Sequence, residues 1–209
     1  YAHAQRDTLV REVHHRIKNH LQGLAGLLRQ HMNEQPVLEP VLEKFAAQVN
    51  AISMVHGLQG KTEKGNASLR NLAAEIAAFL GRITGTGIGL SCPGNACLWA
   101  VDEAEAVPLA LILNELLTNA LRHGTDKARV SLAIACDANG ARLIIRNPGR
   151  LGAGMKFAAG KGLGTGLNLI RSLLPPAGVT LSLENSDDGW VEARLELLPP
   201  VLLPMAQVQ

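Results

Sequence analysis

The chain has 209 residues, 47% of them apolar and only 3% aromatic, so any core must be filled by Leu, Ala, Val and Ile. A formal net charge of +2, with no Lys/Arg-rich run, carries no nucleic-acid signature. The apolar stretches are shorter than the roughly 20 residues that span a bilayer. No signal peptide is visible, and Cys92, Cys97 and Cys136 have no CxxC spacing, so neither a disulfide framework nor a zinc site is indicated. These features lead to the expectation of a cytoplasmic protein with no membrane segment in this fragment and no nucleic-acid partner.

The first element is a helix expected over about 6–32, whose most informative stretch is Glu12–Leu28. Val10, Val13, Ile17, Leu21, Leu24 and Leu28 recur at steps of three and four and form one apolar stripe. With about 100° per residue, His15 falls roughly 160° from Ile17, in company with Glu12, Asn19 and Gln22, while His14 and His20 fall on the shoulders of the stripe. Four of the seven histidines lie between His14 and His31, which weakens the reading of His15 as one more exposed polar residue without removing it. A short turn at Asn33–Pro36 leads to a second helix opened by Pro40 and carrying Val41, Leu42, Phe45, Val49, Ile52, Met54 and Val55. This antiparallel helical hairpin, residues 1–60, cannot enclose a core by itself, and pairing two hairpins into a four-helix bundle in a homodimer solves the problem.

The polar, glycine-rich segment 57–66 is read as the boundary to a second domain, residues 66–198. Ser68 is expected to cap a helix through about Phe79 with Leu69, Leu72, Ala73, Ile76 and Leu80 inward. Short strands at 88–91 and 97–101 flank the turn Pro93-Gly94-Asn95. A long helix over 102–122, a hairpin of strands 129–136 and 141–146 around Asp137–Gly140, a short helix over 167–174 stopped by Pro175-Pro176, and a final hairpin around Asp187-Asp188-Gly189 complete the pattern. The fold class is α+β, the second domain being an α/β two-layer sandwich. Residues 199–209 are expected to be an unstructured or loosely docked tail.

Two stretches of this domain carry chemistry. In PLALILNELLTNALRHG, Glu115 and Asn119 stand one turn apart, a carboxylate and an amide suited to a hard cation such as Mg²⁺ that keeps waters and phosphate oxygens. In Gly162-Leu163-Gly164-Thr165-Gly166-Leu167, a glycine loop runs into a helix whose free N–H groups favour phosphate, with Lys156 and Lys161 before it. It is neither a dinucleotide fingerprint nor a Walker loop, since no strand with a parallel βαβ unit and no Gly-Lys-Ser/Thr accompany it.

Taken together, these stretches resemble one family. HHRIKN is similar to the phosphoacceptor segment of sensor histidine kinases of the HWE-like branch, NELLTNALRHG to the N box of GHKL (Bergerat-fold) ATPases, and GLGTGLNLIRSLL to their G2 box. The resemblance covers nearly the whole chain. It implies an ATP-dependent protein-histidine kinase of two-component signalling, with ATP and Mg²⁺ as cofactors and a response-regulator receiver domain as partner. It makes His15 the phosphoacceptor, Asn119 the metal ligand, and Glu115 a polar catalytic partner. His123, Asn147, Gly149, Lys161, Gly162, Gly164, Thr165, Gly166 and Leu167 would line the nucleotide site, and Asn19 would orient a water for the reverse reaction. One departure stands out: Asn147-Pro148-Gly149 occupies the place of the family's Asp-x-Gly, and an asparagine oxygen accepts without charge assistance, a roughly twofold weaker bond. That departure motivates an alternative, a histidine phosphotransfer or scaffold protein that no longer uses ATP.

Overall fold

The computed structural model describes residues 2–34, 36–62, 66–92, 98–186 and 188–205. Helices α1 (Ala2–Glu34) and α2 (Glu39–Gln59), joined through a 3-10 turn at Pro36–Leu38, form the expected hairpin. Pro40 sits in the first turn of α2, where its missing N–H costs nothing. The boundary segment starts later than expected, because α2 continues to Gln59 and buries Leu58 and Gln59 against the second domain.

The stripe expected to be buried on α1 is divided between two faces. His14 and Ala25 are buried toward α2, and Ile17, Lys18, Leu21 and Leu28 are half-buried, whereas Val10, Val13 and Leu24 stand exposed within the single chain. Leu9, Leu27, Val37, Leu38, Val41 and Phe45 are exposed as well, so the outer face of the hairpin is apolar along both helices. Val10, Val13, Ile17, His20, Leu24 and Leu27 alternate in steps of three and four, the spacing of a helix–helix seam.

In the second domain, β1 (Ala67–Ser68) leads into α3 (Leu69–Thr84), capped as expected by Ser68, whose hydroxyl accepts from the Asn71 N–H at 3.4 Å. The five inward positions of α3 are buried, and the helix ends on Gly85 in the left-handed conformation (φ 66°). After β2 (Gly89–Ser91) and β3 (Trp99–Val101) come α4 (Ala106–His123), β4 (Ser131–Cys136), β5 (Ala141–Pro148), α5 (Thr165–Leu173), β6 (Val179–Ser186), β7 (Trp190–Leu197) and β8 (Leu202–Pro204). Five strands form one sheet in the order β2-β4-β5-β7-β6, parallel only at β2–β4. The strands β1, β3 and β8 form a second, antiparallel sheet.

Two expectations change here. The strands β2 and β3 belong to different sheets, and the turn placed between them lies outside the described residues. The tail is partly structured: β8 pairs with β3, and Val201 and Leu202 are buried. A third correction concerns the cysteines, since Cys136 is disulfide-bonded although spacing indicated no bridge.

Alternation in β4, β5 and β7 explains the layers. Leu132, Ile134, Leu143, Ile145, Ala193, Leu195 and Leu197 face the helices and are buried. The opposite face carries the ion pairs Arg142–Glu196 (3.1 Å), Arg146–Asp188 (3.2 Å) and Arg194–Glu192 (2.6 Å). There Arg129 and Arg146 lie against the Trp190 ring, 4.6 and 5.1 Å from its centre. Helix α4 packs against α2, α3, α5 and β5, and it positions the site.

Candidate nucleotide pocket and phosphoacceptor helix

A cavity of about 410 Å³ opens beside the last turns of α4. Its apolar wall is Leu116, Ala120, Ile145, Leu183, Val191 and Ala193; its polar groups include Asn119, His123, Asn147 and Arg150. Gly162, Gly164, Gly166 and Leu167 close one side. Helix α5 starts at Gly164 without a side-chain cap, and its first intrahelical bond runs from Asn168 N–H to the Gly164 carbonyl at 3.1 Å. The N–H groups of Thr165, Gly166 and Leu167 therefore precede the helix's own hydrogen bonding, at its positive end. A largely apolar cavity lined by the start of α5 and by Arg150 fits a nucleoside phosphate.

Asn147 is buried at the end of β5, and its Nδ2 donates to the Pro148 carbonyl at 3.3 Å. Gly149 follows with φ 146°, a conformation open to glycine, and its N–H donates to the Gly189 carbonyl at 3.0 Å. Gly149, Lys161 and Thr165 do not line the cavity. Lys161 instead exchanges two backbone hydrogen bonds with Lys156, at 3.0 and 3.2 Å, which ties off the loop between β5 and α5.

Glu115 differs most from expectation. Instead of offering its carboxylate to a cation beside Asn119, it is 2% exposed and held by α2: Gln48 Nε2 donates to one carboxylate oxygen at 2.8 Å, and Lys44 Nζ lies 3.4 Å from the other. Lys44 also donates to the Thr165 hydroxyl at 3.4 Å. A Cβ on Gly166 would lie 2.6 Å from Glu115 Oε2, 3.6 Å from Lys44 Nζ and 3.7 Å from Asn119 Nδ2, so this glycine is where the three groups converge. Lys44 and Gln48 were not singled out from sequence. The signal available is a polar pair at i, i+4 that brackets the apolar Phe45-Ala46-Ala47. The Asn119 amide fits Mg²⁺, which takes few protein ligands beside waters and phosphate oxygens; Glu115 is already engaged on both oxygens.

On α1, His15 is exposed and its Nδ1 lies 3.3 Å from Asn19 Nδ2. Glu12, expected beside His15, pairs with Arg16 at 2.7 Å, and that hydrogen bond holds its carboxyl below the usual range. His14 is buried against α2, its Nδ1 3.0 Å from Nδ1 of His56, and its Nε2 is 3.8 Å from Glu103 Oε1. Gln59 Nε2 donates to the Glu103 carbonyl at 3.3 Å, so this end of the hairpin rests on the segment entering α4.

Burial, followed by the nearby His14, pushes the His56 imidazole below its ordinary value. The unfolded chain therefore binds more protons than the folded one as the pH falls below about 6.5, and stability present above that pH is lost on acidification. The expected result is a melting temperature that falls between pH 8 and pH 5.5, with a smaller fall in His56→Asn. Equal falls in both proteins would assign the acid sensitivity elsewhere.

The helical hairpin followed by a two-layer sandwich is a fold shared with solved histidine kinase domains. The chain superposes on the histidine kinase domain of the Erythrobacter litoralis EL346 blue-light activated histidine kinase with a TM-score of 0.63 and 19% identity, covering 95% of this chain and 96% of that one. It also matches the catalytic domain of histidine kinase ThkA, with a TM-score of 0.51 and 17% identity, covering 64% and 94% respectively.

Residues 12–93 match the family described as HWE histidine kinase. Sensor histidine kinase PdtaS of Mycolicibacterium smegmatis is 27% identical over 178 residues, which cover 81% of this chain and 35% of that protein. The PdtaS of Mycobacterium tuberculosis is 25% identical over 175 residues, with the same shares. The chain thus spans about a third of the length of these relatives.

Proposed function

We propose that the chain binds Mg-ATP in the cavity beside α4 and transfers the γ-phosphoryl group to His15, from which it passes to a receiver-domain aspartate of a response regulator in the cytoplasm. The observation that carries this reading is the joint presence of a phosphate-ready slot and an exposed histidine on a separate helix. The nucleotide supplies the phosphoryl group and the metal neutralises its charge. The chain's residues supply position and electrostatics, which dominate such transfers. Asn119 would hold the metal, the N–H groups at the start of α5 would hold phosphate oxygens, and Asn147 would face the base. The cavity is walled and intact around Asn147, which favours ATP use over the phosphotransfer-only reading.

Asn19 bears on the nucleophile. Rotating its amide by half a turn, which exchanges equivalent-looking atoms, presents Oδ1 to His15 Nδ1. An Nδ1–H donated there leaves the outward Nε2 with its lone pair, the state an attacking imidazole needs. Asn19 thus favours the reactive tautomer, besides any part in the reverse reaction.

Transfer requires movement. The His14 end of the hairpin rests on Glu103, before α4, whereas the cavity adjoins the far end of that helix. Ala106 to Asn119 spans roughly 20 Å of helix axis. The hairpin must therefore reorient, or His15 must be served by the pocket of a second protomer.

The exposed apolar seam supports a homodimer. Leu24 is 51% exposed in the single chain, and Leu24→Glu would place a charge in the centre of the four-helix bundle. Sedimentation is expected to show a dimer for the wild type and a monomer for the variant; a wild-type monomer at micromolar concentration would contradict the bundle. The kinase reading itself is tested by incubation with γ-labelled ATP and Mg²⁺. Acid-labile, base-stable label is expected, and a chain that stays unlabelled while binding no ATP rejects it.

A further inference from the structure

We propose that Lys44 of the hairpin is a phosphate ligand of the nucleotide site, exchanging Glu115 for the distal phosphates when the pocket fills. The inference rests on the nucleotide reading above and adds a residue from the other domain. Lys44 Nζ touches the Thr165 hydroxyl at 3.4 Å and Glu115 Oε2 at 3.4 Å. Thr165 is the first residue of α5, and Gly164 and Gly166 on either side of it line the cavity.

The ammonium therefore stands just behind the wall where unpaired N–H donors converge. Its side chain is one-third exposed and flexible, while Glu115 is 2% exposed and kept by Gln48 at 2.8 Å. A buried carboxylate needs a counter-charge, and in this arrangement Lys44 provides it. Phosphate oxygens arriving at the start of α5 carry more negative charge than one carboxylate, and Lys44 reaches them by rotating its own side chain. Glu115 is then left to Gln48 and Asn119, and α2 loses its one ionic tie to α4 among the described residues. Occupancy of the pocket is thereby reported to the helix pair that carries His15.

The test is nucleotide binding rather than turnover. Removing Lys44 alone strands a buried carboxylate, so the comparison is made between Glu115→Gln and the double variant Glu115→Gln/Lys44→Ala, by calorimetry with ATP and with adenosine. If Lys44 meets phosphate, the double variant binds ATP about tenfold more weakly than Glu115→Gln, the size of a charge-assisted hydrogen bond. Adenosine affinity stays equal, and Lys44→Arg in the same background restores ATP binding. Equal ATP affinity in Glu115→Gln and the double variant would show Lys44 to be only a counter-ion and overturn the inference alone. A wild-type chain that binds no ATP overturns the nucleotide reading and this inference with it.

Discussion

His15→Ala is expected to abolish acid-labile label from ATP while leaving ATP affinity within about twofold of the wild type. The two effects separate because His15 lies on α1, outside the cavity walls, and contacts Asn19 alone among the described hydrogen bonds. His14→Gln is the companion variant. His14 is 7% exposed and committed to His56, so it cannot present a nitrogen to a phosphoryl donor without leaving its place. Label is expected to persist in His14→Gln, with a lower melting temperature, since a buried polar contact is lost. Label that survives His15→Ala would move the acceptor to another residue.

Gly166→Ala is expected to weaken ATP binding more than tenfold and to destabilise the fold by about 2 kcal/mol, in the range of overpacking. The new methyl group would lie 2.6 Å from Glu115 Oε2. Side-chain ends ordinarily yield to such a contact, but this one is fixed by Gln48 and Lys44 and has no solvent into which to swing. Either the carboxylate breaks its two contacts or the start of α5 moves out, and the second response displaces the N–H groups that await phosphate. Thermal melting and calorimetry measure both effects. Unchanged ATP affinity would mean that phosphate is not held at this helix end.

The parts of the molecule legible in sequence are those set by local rules. Ser68, the periodicity of α3 and α4, the alternation in β4 to β7 and the glycines before α5 each act within a few residues, and each element overlaps the stretch where the pattern places it, with ends shifted by up to five residues. The burial on α1 was misassigned because the helix is apolar on two sides, and the wheel could not tell the face that meets α2 from the face left to a partner. The strands β2 and β3 share a turn in sequence but not a sheet, because β2 lies parallel to β4 while β3 is taken by β1 and β8.

At the site, Asn119, His123, Asn147, Gly162, Gly164, Gly166 and Leu167 do gather around one cavity. Glu115 does not open into it, and the reason lies 67 residues away in Gln48 and further still in Lys44. No periodicity within α4 encodes a partner from another domain. The spacing of Glu115 and Asn119 pairs them on one face of α4, and α2 covers the Glu115 part of that face.

The most direct measurement is the position of the phosphoryl group after incubation with γ-labelled ATP and Mg²⁺, read by peptide mapping under basic conditions, with Asn119→Ala as the control that lacks the metal ligand. Acid-labile label on His15 in the wild type, and none in Asn119→Ala, is the expected result. An unlabelled wild-type chain whose His15 nevertheless accepts phosphate from a phosphorylated receiver domain would contradict it.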